Sequence, residues 1–126
     1  MQILDVAKLT TCKVAADGQA ISLGAEDGTG KPFRLLMTAE QAGTLAMTLP
    51  TLLTEAIQAR HRNESLRYVF PLGGFELRSA DGSPTTILSF RTPDGFEVSF
   101  ALAPNVLASL ASVCASEGNR IARQLN

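Results

Sequence analysis

The feature that most limits how this chain can fold is an order of segments that occurs twice, about 65 positions apart. Ala16-Asp17-Gly18 is followed by a short apolar stretch around Ile21 and Leu23, then by a second turn at Asp27-Gly28. An alternating run at Phe33, Leu35 and Met37 comes next, and after it a long helical pattern. Ala80-Asp81-Gly82 opens the same order again, with Ile87 to Phe90, a turn at Asp94-Gly95, alternation at Phe96, Val98, Phe100 and Leu102, and another helix. Self-similarity on this scale points to a duplicated unit in a pseudo-twofold arrangement. It sets an architecture and leaves the activity open.

Each copy reads as three strands and a helix. In the first, residues 9–16, 20–26 and 32–37 are expected as strands, the first with Cys12 and Val14 on one side. The Asp-Gly pairs between them supply the positive backbone dihedrals of tight hairpin turns. Thr38-Ala39-Glu40-Gln41 then forms a capping box, in which the Thr38 hydroxyl accepts a first-turn amide and Gln41 reaches back. Ala42, Leu45, Leu49, Leu52, Leu53, Ala56 and Ile57 recur at helical steps behind it. Pro50 removes one bond of that helix, which predicts a kink or a break into two.

The second copy begins with residues 68–79, where Pro71 and Gly73-Gly74 mark an edge or bulged start before Phe75 and Leu77, expected in the core. Residues 85–92 and the run from Phe96 to Leu102 follow as strands. Pro104 suits the first position of a helix. Leu107, Ala111, Cys114, Gly118, Ile121 and Leu125 then trace one stripe, which Gly118 could interrupt. The expectation is an α+β fold: two β-β-β-α repeats in one domain over 1–126, repeat one about 9–60 and repeat two about 66–126. Each antiparallel meander has one apolar face and a helix to cover it.

Composition narrows the function classes. A net charge of −1 removes a bulk electrostatic attraction to nucleic acid or anionic membrane. All seven basic residues after position 59 are Arg, against six acids, a slight lean toward bidentate anion contacts. No segment offers the ~18 apolar residues a membrane span needs, and Met1 to Lys8 lacks a signal pattern. Cys12 and Cys114, one per repeat, read as buried free thiols of a reducing compartment, and the expected location is the cytoplasm.

Groups able to do chemistry are scarce. His61, the single histidine, lies in Arg60-His61-Arg62, where flanking positive charge lowers its proton affinity without orienting it. One His and two distant Cys cannot build a tetrahedral nitrogen/sulfur metal site. No Ser or Thr sits in a nucleophile elbow, and the Asp-Gly pairs lack the ligand ladder of a calcium loop. Gly-Thr-Gly-Lys at 28–31 lacks the spacing and the strand-to-helix setting of a phosphate loop. No catalytic residue, metal or cofactor is expected.

The single basic-plus-aromatic cluster is Arg60, Arg62 and Arg67 beside Tyr68 and Phe70. It could stack and hold a single strand of nucleic acid, with Arg78 and Arg91 of the second repeat joining it; the other reading is a solvated linker running into a core strand. Outward strand positions Ser22, Arg34, Glu76, Arg78, Arg91, Glu97 and Ser99 mix both signs, as ion pairs on a wet sheet face would. Strands followed by a helix, duplicated in one chain, are similar in element order to the PUR and Whirly architectures. That resemblance implies single-stranded nucleic-acid binding, although those units use four strands and none of their binding motifs maps onto residues here. The leading expectation is instead a non-enzymatic interaction protein, a homodimer or the partner of another protein. Small-residue helix stripes (Ala42, Gly43, Ala46; Ala108, Ala111, Ala115, Gly118) would allow close helix contact or pack within the domain. A small-molecule pocket between the repeats has no sequence feature in its favour.

Overall fold

The computed structural model describes residues 1–79 and 81–125; Ala80, expected to open the second repeat's first turn, and Asn126 lie outside the described residues. The element order is β1 (Lys8–Val14), β2 (Ala20–Glu26), β3 (Pro32–Thr38), α1 (Ala39–His61), β4 (Gly74–Ser79), β5 (Thr86–Arg91), β6 (Glu97–Leu102) and α2 (Pro104–Leu125). The expected β-β-β-α order is therefore present twice. The chain divides into two units, one spanning Met1–Tyr68 and one from Val69 onward.

In the first unit the sheet order is β1-β2-β3, antiparallel throughout. Directly paired residues share a face, so Cys12, Leu23 and Leu35 form one row and Val14, Ile21 and Met37 the next. A bulge between Leu9 and Thr11 resets the side-chain phase of β1. Through it Leu9, opposite Ala25, joins the same apolar face as Phe33. Gly24 opposes the bulge, and the hydroxyls of Thr10 and Thr11 occupy the space a Cβ there would need.

The second unit repeats the order as β4-β5-β6. Phe75, Phe90 and Val98 make one row of its apolar face, and Leu77, Leu88 and Phe100 the next. Phe90 and Phe100 meet edge to face at 6.3 Å between ring centroids. The opposite face carries Gly74, Arg91 and Glu97, then Glu76, Ser89 and Ser99, then Arg78, Ile87 and Ala101.

The second turns of the two meanders are built alike. Gly30 donates to the Asp27 carbonyl and Gly95 to the Thr92 carbonyl, and both glycines have positive φ. Each loop is a three-residue connection closed by a left-handed glycine. Gly30, not Gly28, is thus the counterpart of Gly95. Reading the repeat through its Asp-Gly pairs displaces this turn, because the φ-positive position is set by loop length.

Helix α1 starts at the expected capping box: Gln41 N–H donates to Thr38 Oγ1 at 3.1 Å, and Thr38 N–H donates to Gln41 Oε1 at 3.0 Å. It runs unbroken through Pro50. Thr44 and Thr48 donate their hydroxyls to carbonyls four residues back in the turns before the proline. The helix ends at Arg62, whose left-handed backbone lets Arg62 and Asn63 amides close the last carbonyls. Helix α2 is likewise continuous, and Gly118 does not interrupt it.

Burial is slight. Among the described residues the buried apolar side chains are Ala25 and Leu88 alone. Helix α1 lies against β2 and β3, and Ala42, Leu53 and Ile57 are half-buried along it. Along α2 only Leu107, near the start, is half-buried. Phe75 and Leu77, expected inside, are 69% and 51% exposed, because among the described residues α2 does not pack along their sheet. Cys12 and Cys114 are also exposed rather than buried. The first lies on the open edge strand of an apolar face, the second on the uncovered stripe of α2.

Candidate functional site

Two kinds of surface could carry function: the polar groups singled out by the sequence, and the apolar faces that the fold leaves open. The polar groups fall into two sets, one in each unit. Arg60, Arg62, Arg67 and Tyr68 belong to the first unit, where α1 ends and the chain turns back along it. Arg60 lies in the last turn of α1, Arg62 is its cap, and Arg67 donates to the carbonyls of Glu64 and Leu66. Gln58 ties the returning segment down by donating to the same two carbonyls at 3.1 and 2.9 Å. Tyr68 N–H donates to Thr54 Oγ1 at 3.1 Å. The segment is thus fastened by its backbone, with exposed side chains directed outward.

Arg78 and Arg91 belong to the second unit, and carboxylates engage both. Arg78 meets Glu76 at 2.6 Å on its own strand, and Arg91 meets Glu97 at 3.7 Å across the β5–β6 pair. The hydrogen bond from Arg78, and then its charge, hold the Glu76 carboxyl below the usual carboxylate range; the same pairing raises the Arg78 guanidinium. The Ser89 and Ser99 hydroxyls are hydrogen-bonded to each other at 2.7 Å in the same patch. This is a neutralised, hydrogen-bonded sheet face, as the interleaved charges in the sequence suggested. His61 sits in the final turn of α1, exposed between Arg60 and Arg62. Among the described residues no group of three His, Cys, Asp or Glu side chains gathers into a metal-holding cluster. No helix there is long and apolar enough to cross a membrane.

The apolar surfaces are of another order. Val98 and Phe100 are 54% and 46% exposed on the sheet of the second unit. Phe96 extends the same face beyond the strand. A cleft of about 660 Å³ opens at this end between Phe70, Pro71 and Leu72 on one side and Phe90, Phe96 and Val98 on the other. Its wall depends on Gly73: the Gly73 amide donates to the Arg91 carbonyl at 2.7 Å, and a Cβ there would stand 2.8 Å from the Pro93 nitrogen. Sequence reasoning treated Gly73-Gly74 as a bulge signal and missed that it lets residues 70–72 flank the aromatic face.

Helix α2 presents a second open surface. Val106, Leu110, Val113 and Ile121 are all exposed at its apolar side, with Cys114 among them. Periodicity picked out Cys114 and Ile121 with Leu107, Ala111, Gly118 and Leu125 but not Val106, Leu110 and Val113, and no sequence signal says whether such a stripe meets its own sheet or another chain. Total area makes the openness quantitative. Two entirely separate compact bodies, each of half this mass, would together expose roughly 7,800 Å² by area–mass scaling. The chain exposes 10478 Å². Whatever the arrangement of the two units, the surplus lies within them. The chain matches no protein-family model, no curated protein and no solved structure.

Proposed function

We propose that this chain is a non-enzymatic, self-associating interaction protein whose stable form is a homo-oligomer, most simply a homodimer. One observation carries the reading: two sheets and a helix expose continuous apolar faces, and only Ala25 and Leu88 are buried as apolar side chains among the described residues. A monomer rarely exposes apolar patches beyond a few hundred Å². The surplus area, roughly 2,700 Å² per chain against the compact-body scaling, is what an obligate interface removes from water. Two exposed thiols with no disulfide fit a reducing compartment, and we place the protein in the cytoplasm on that ground.

Sedimentation velocity of the full chain over a hundredfold range of concentration tests the reading. A folded species at an integral multiple of 13.4 kDa supports it. A 13.4 kDa species with a cooperative thermal transition at every concentration overturns it. Anisotropy of labelled single-stranded DNA and RNA, at low and moderate salt, tests the other class. Salt-sensitive binding lost when Arg60, Arg62 and Arg67 become Ala would replace this proposal with a nucleic-acid one.

A further inference from the structure

We infer that two copies of the chain join edge to edge through β6, strand against antiparallel strand about a twofold axis at Phe100, making one six-stranded sheet of their second units. This rests on the oligomer proposed above and names its contact.

The backbone selects the edge. In an antiparallel pair, alternate residues turn their N–H and C=O toward the partner strand and the residues between turn theirs away. The Thr92 amide donates to the Phe96 carbonyl at 2.8 Å, so Phe96, Val98, Phe100 and Leu102 bond toward β5. Glu97, Ser99 and Ala101 turn their amides and carbonyls outward, and β6 is the last strand of its sheet. In the first unit the Asp27 amide donates to the Lys31 carbonyl at 3.0 Å. The same count then turns Pro32, Arg34, Leu36 and Thr38 outward on β3. There Pro32 has no N–H to offer, and Gln41 Oε1 takes the Thr38 N–H. On β6 Glu97 holds the place of Pro32 and keeps its N–H. Ala103 stands for Thr38 and Val106 for Gln41, and valine has no side-chain acceptor. One repeat closes both ends of its outer edge; the other leaves its edge open along the whole strand. The other two edges carry further guards against pairing. A bulge and two lysines, Lys8 and Lys13, interrupt β1. Glu76 and Arg78 charge β4, and a glycine begins it. Within Val98–Leu102 there is no charge, proline, glycine or bulge.

The sequence of that run says what pairs with it. Val98-Ser99-Phe100-Ala101-Leu102 alternates large and small, symmetrically about Phe100. Outward-turned residues must meet outward-turned residues, which sets large side chains opposite large ones and small opposite small. Paired with its own copy about Phe100, the run places Val98 opposite Leu102 of the second copy and Ser99 opposite Ala101. The two Phe100 side chains meet on the axis, and the apolar faces of the two sheets become continuous. Glu97 falls beyond the run, opposite Ala103 of the second copy, and stays beside its own Arg91. No like charges therefore face each other across the pair. The contact is the same patch on both copies, so it closes at two.

Sedimentation velocity of full-length variants tests the contact. Ser99→Pro removes one outward N–H and leaves the bonds to β5 in place, as proline does on the open side of an edge strand. It should weaken dimerisation about 100-fold or more, since a ladder bond is lost and the ring crowds the approaching strand. Ser99→Ala, which loses the hydroxyl and keeps the N–H, should dimerise like the unmodified chain. So should Arg34→Pro at the matching place on β3. A Ser99→Pro dimer as tight as the unmodified one overturns the inference, as does an equal loss in Ser99→Ala or Arg34→Pro. If Ser99→Pro misfolds, disulfide trapping decides. In a chain with Cys12→Ser and Cys114→Ser, Phe100→Cys places two thiols across the axis, on backbones about 4.5 Å apart and within disulfide reach. Oxidised glutathione should yield about ten times more disulfide dimer from it than from Val98→Cys, whose copies lie about 13 Å apart along the strands. Equal yields, or a larger yield from Ser99→Cys, overturn the pairing about Phe100. The unmodified chain separates the failures: a monomer sinks the oligomer itself, whereas an oligomer indifferent to Ser99→Pro sinks only the β6 contact.

Discussion

Helix α1 leaves β3 through a polar capping box and lies along β2 and β3, whereas α2 leaves β6 through Ala103-Pro104 and, past Leu107, is exposed along its described length. The strands before them have the same order, the same antiparallel pairing and the same left-handed glycine in the second turn. A further tie exists in the first unit: Gln58 and Thr54 hold the returning chain against α1. The two repeats thus share what local sequence dictates and differ in the closure of the core. In one unit part of the apolar face meets its own helix; in the other both surfaces are exposed.

The sharpest way to break this contrast is to put a charge into the open surface of the second unit. Phe100→Asp or Leu110→Asp should weaken self-association about 100-fold or more, since buried aromatic and aliphatic anchors dominate interfaces and an unpaired carboxylate cannot be buried cheaply. Sedimentation reads the effect. Leu36→Asp, on the opposite face of the first unit's sheet in the row of Ser22, should leave the oligomer unchanged. If all three behave alike, the two units do not differ in the way argued.

A smaller effect is expected inside the second unit. Leu88 is its one buried large apolar side chain, at 5% exposure. Leu88→Ala should cost about 3 kcal/mol in chemical denaturation, the usual range for a buried leucine. Leu35→Ala on the first unit's β3, 43% exposed, should cost clearly less. Equal losses would mean that Leu35 is buried in the assembled protein and that the first unit's face is an interface too.

Next come the helix starts. Thr38→Ala should destabilise the first unit by about 1 kcal/mol, the ordinary value of an N-cap hydroxyl. In the second unit Ala103 holds the corresponding place and offers no side-chain acceptor. Ala103→Ser should therefore stabilise by roughly 0.5–1 kcal/mol. Thermal melts at matched protein concentration read both, because a linked oligomer makes the midpoint concentration-dependent.

The order of elements was legible in the sequence because hairpin turns, alternation and caps are local signals. Thr38 and Gln41 announce a helix start whatever surrounds them, and Asp-Gly pairs announce turns. Burial is not local. The alternation of Phe75 and Leu77 identifies an apolar face but cannot say which chain covers it, so residues expected in the core stand in the open. Cys12 and Cys114 fail for the same reason. Neither Pro50 nor Gly118 breaks its helix: the rest of each stripe outweighs one lost bond or one flexible residue. The Arg60–Tyr68 segment was legible as a polar stretch. Arg78 and Arg91 were legible as outward strand positions among interleaved charges, and they pair with Glu76 and Glu97.

The smallest expected effect separates the two matching turns by pH. In the first unit Asp27 Oδ1 accepts the Thr29 hydroxyl at 2.7 Å and the Thr29 and Lys31 amides at 2.9 and 3.0 Å. These bonds, the Thr29 hydroxyl first, favour the carboxylate and hold Asp27 below its ordinary value of 3.8. A carboxyl lowered in the folded state adds stability above its unfolded value, and that contribution is lost as pH falls through the folded one. In the second unit the amide at the place of Lys31, Phe96, is held by the Thr92 hydroxyl at 3.1 Å, and that hydroxyl in turn donates to Asp94 Oδ1 at 2.6 Å, so the carboxylate is one bond further from the amide. Amide exchange should therefore rise at Thr29 and Lys31, beyond its intrinsic pH trend, as the solution is taken below the carboxylate range. Phe96, held by a hydroxyl rather than directly by a carboxylate, should rise less, and Asp27→Ala should abolish the difference. If Thr29 and Phe96 respond alike, the first unit's turn is held by its left-handed glycine and loop length, and the carboxylate adds nothing.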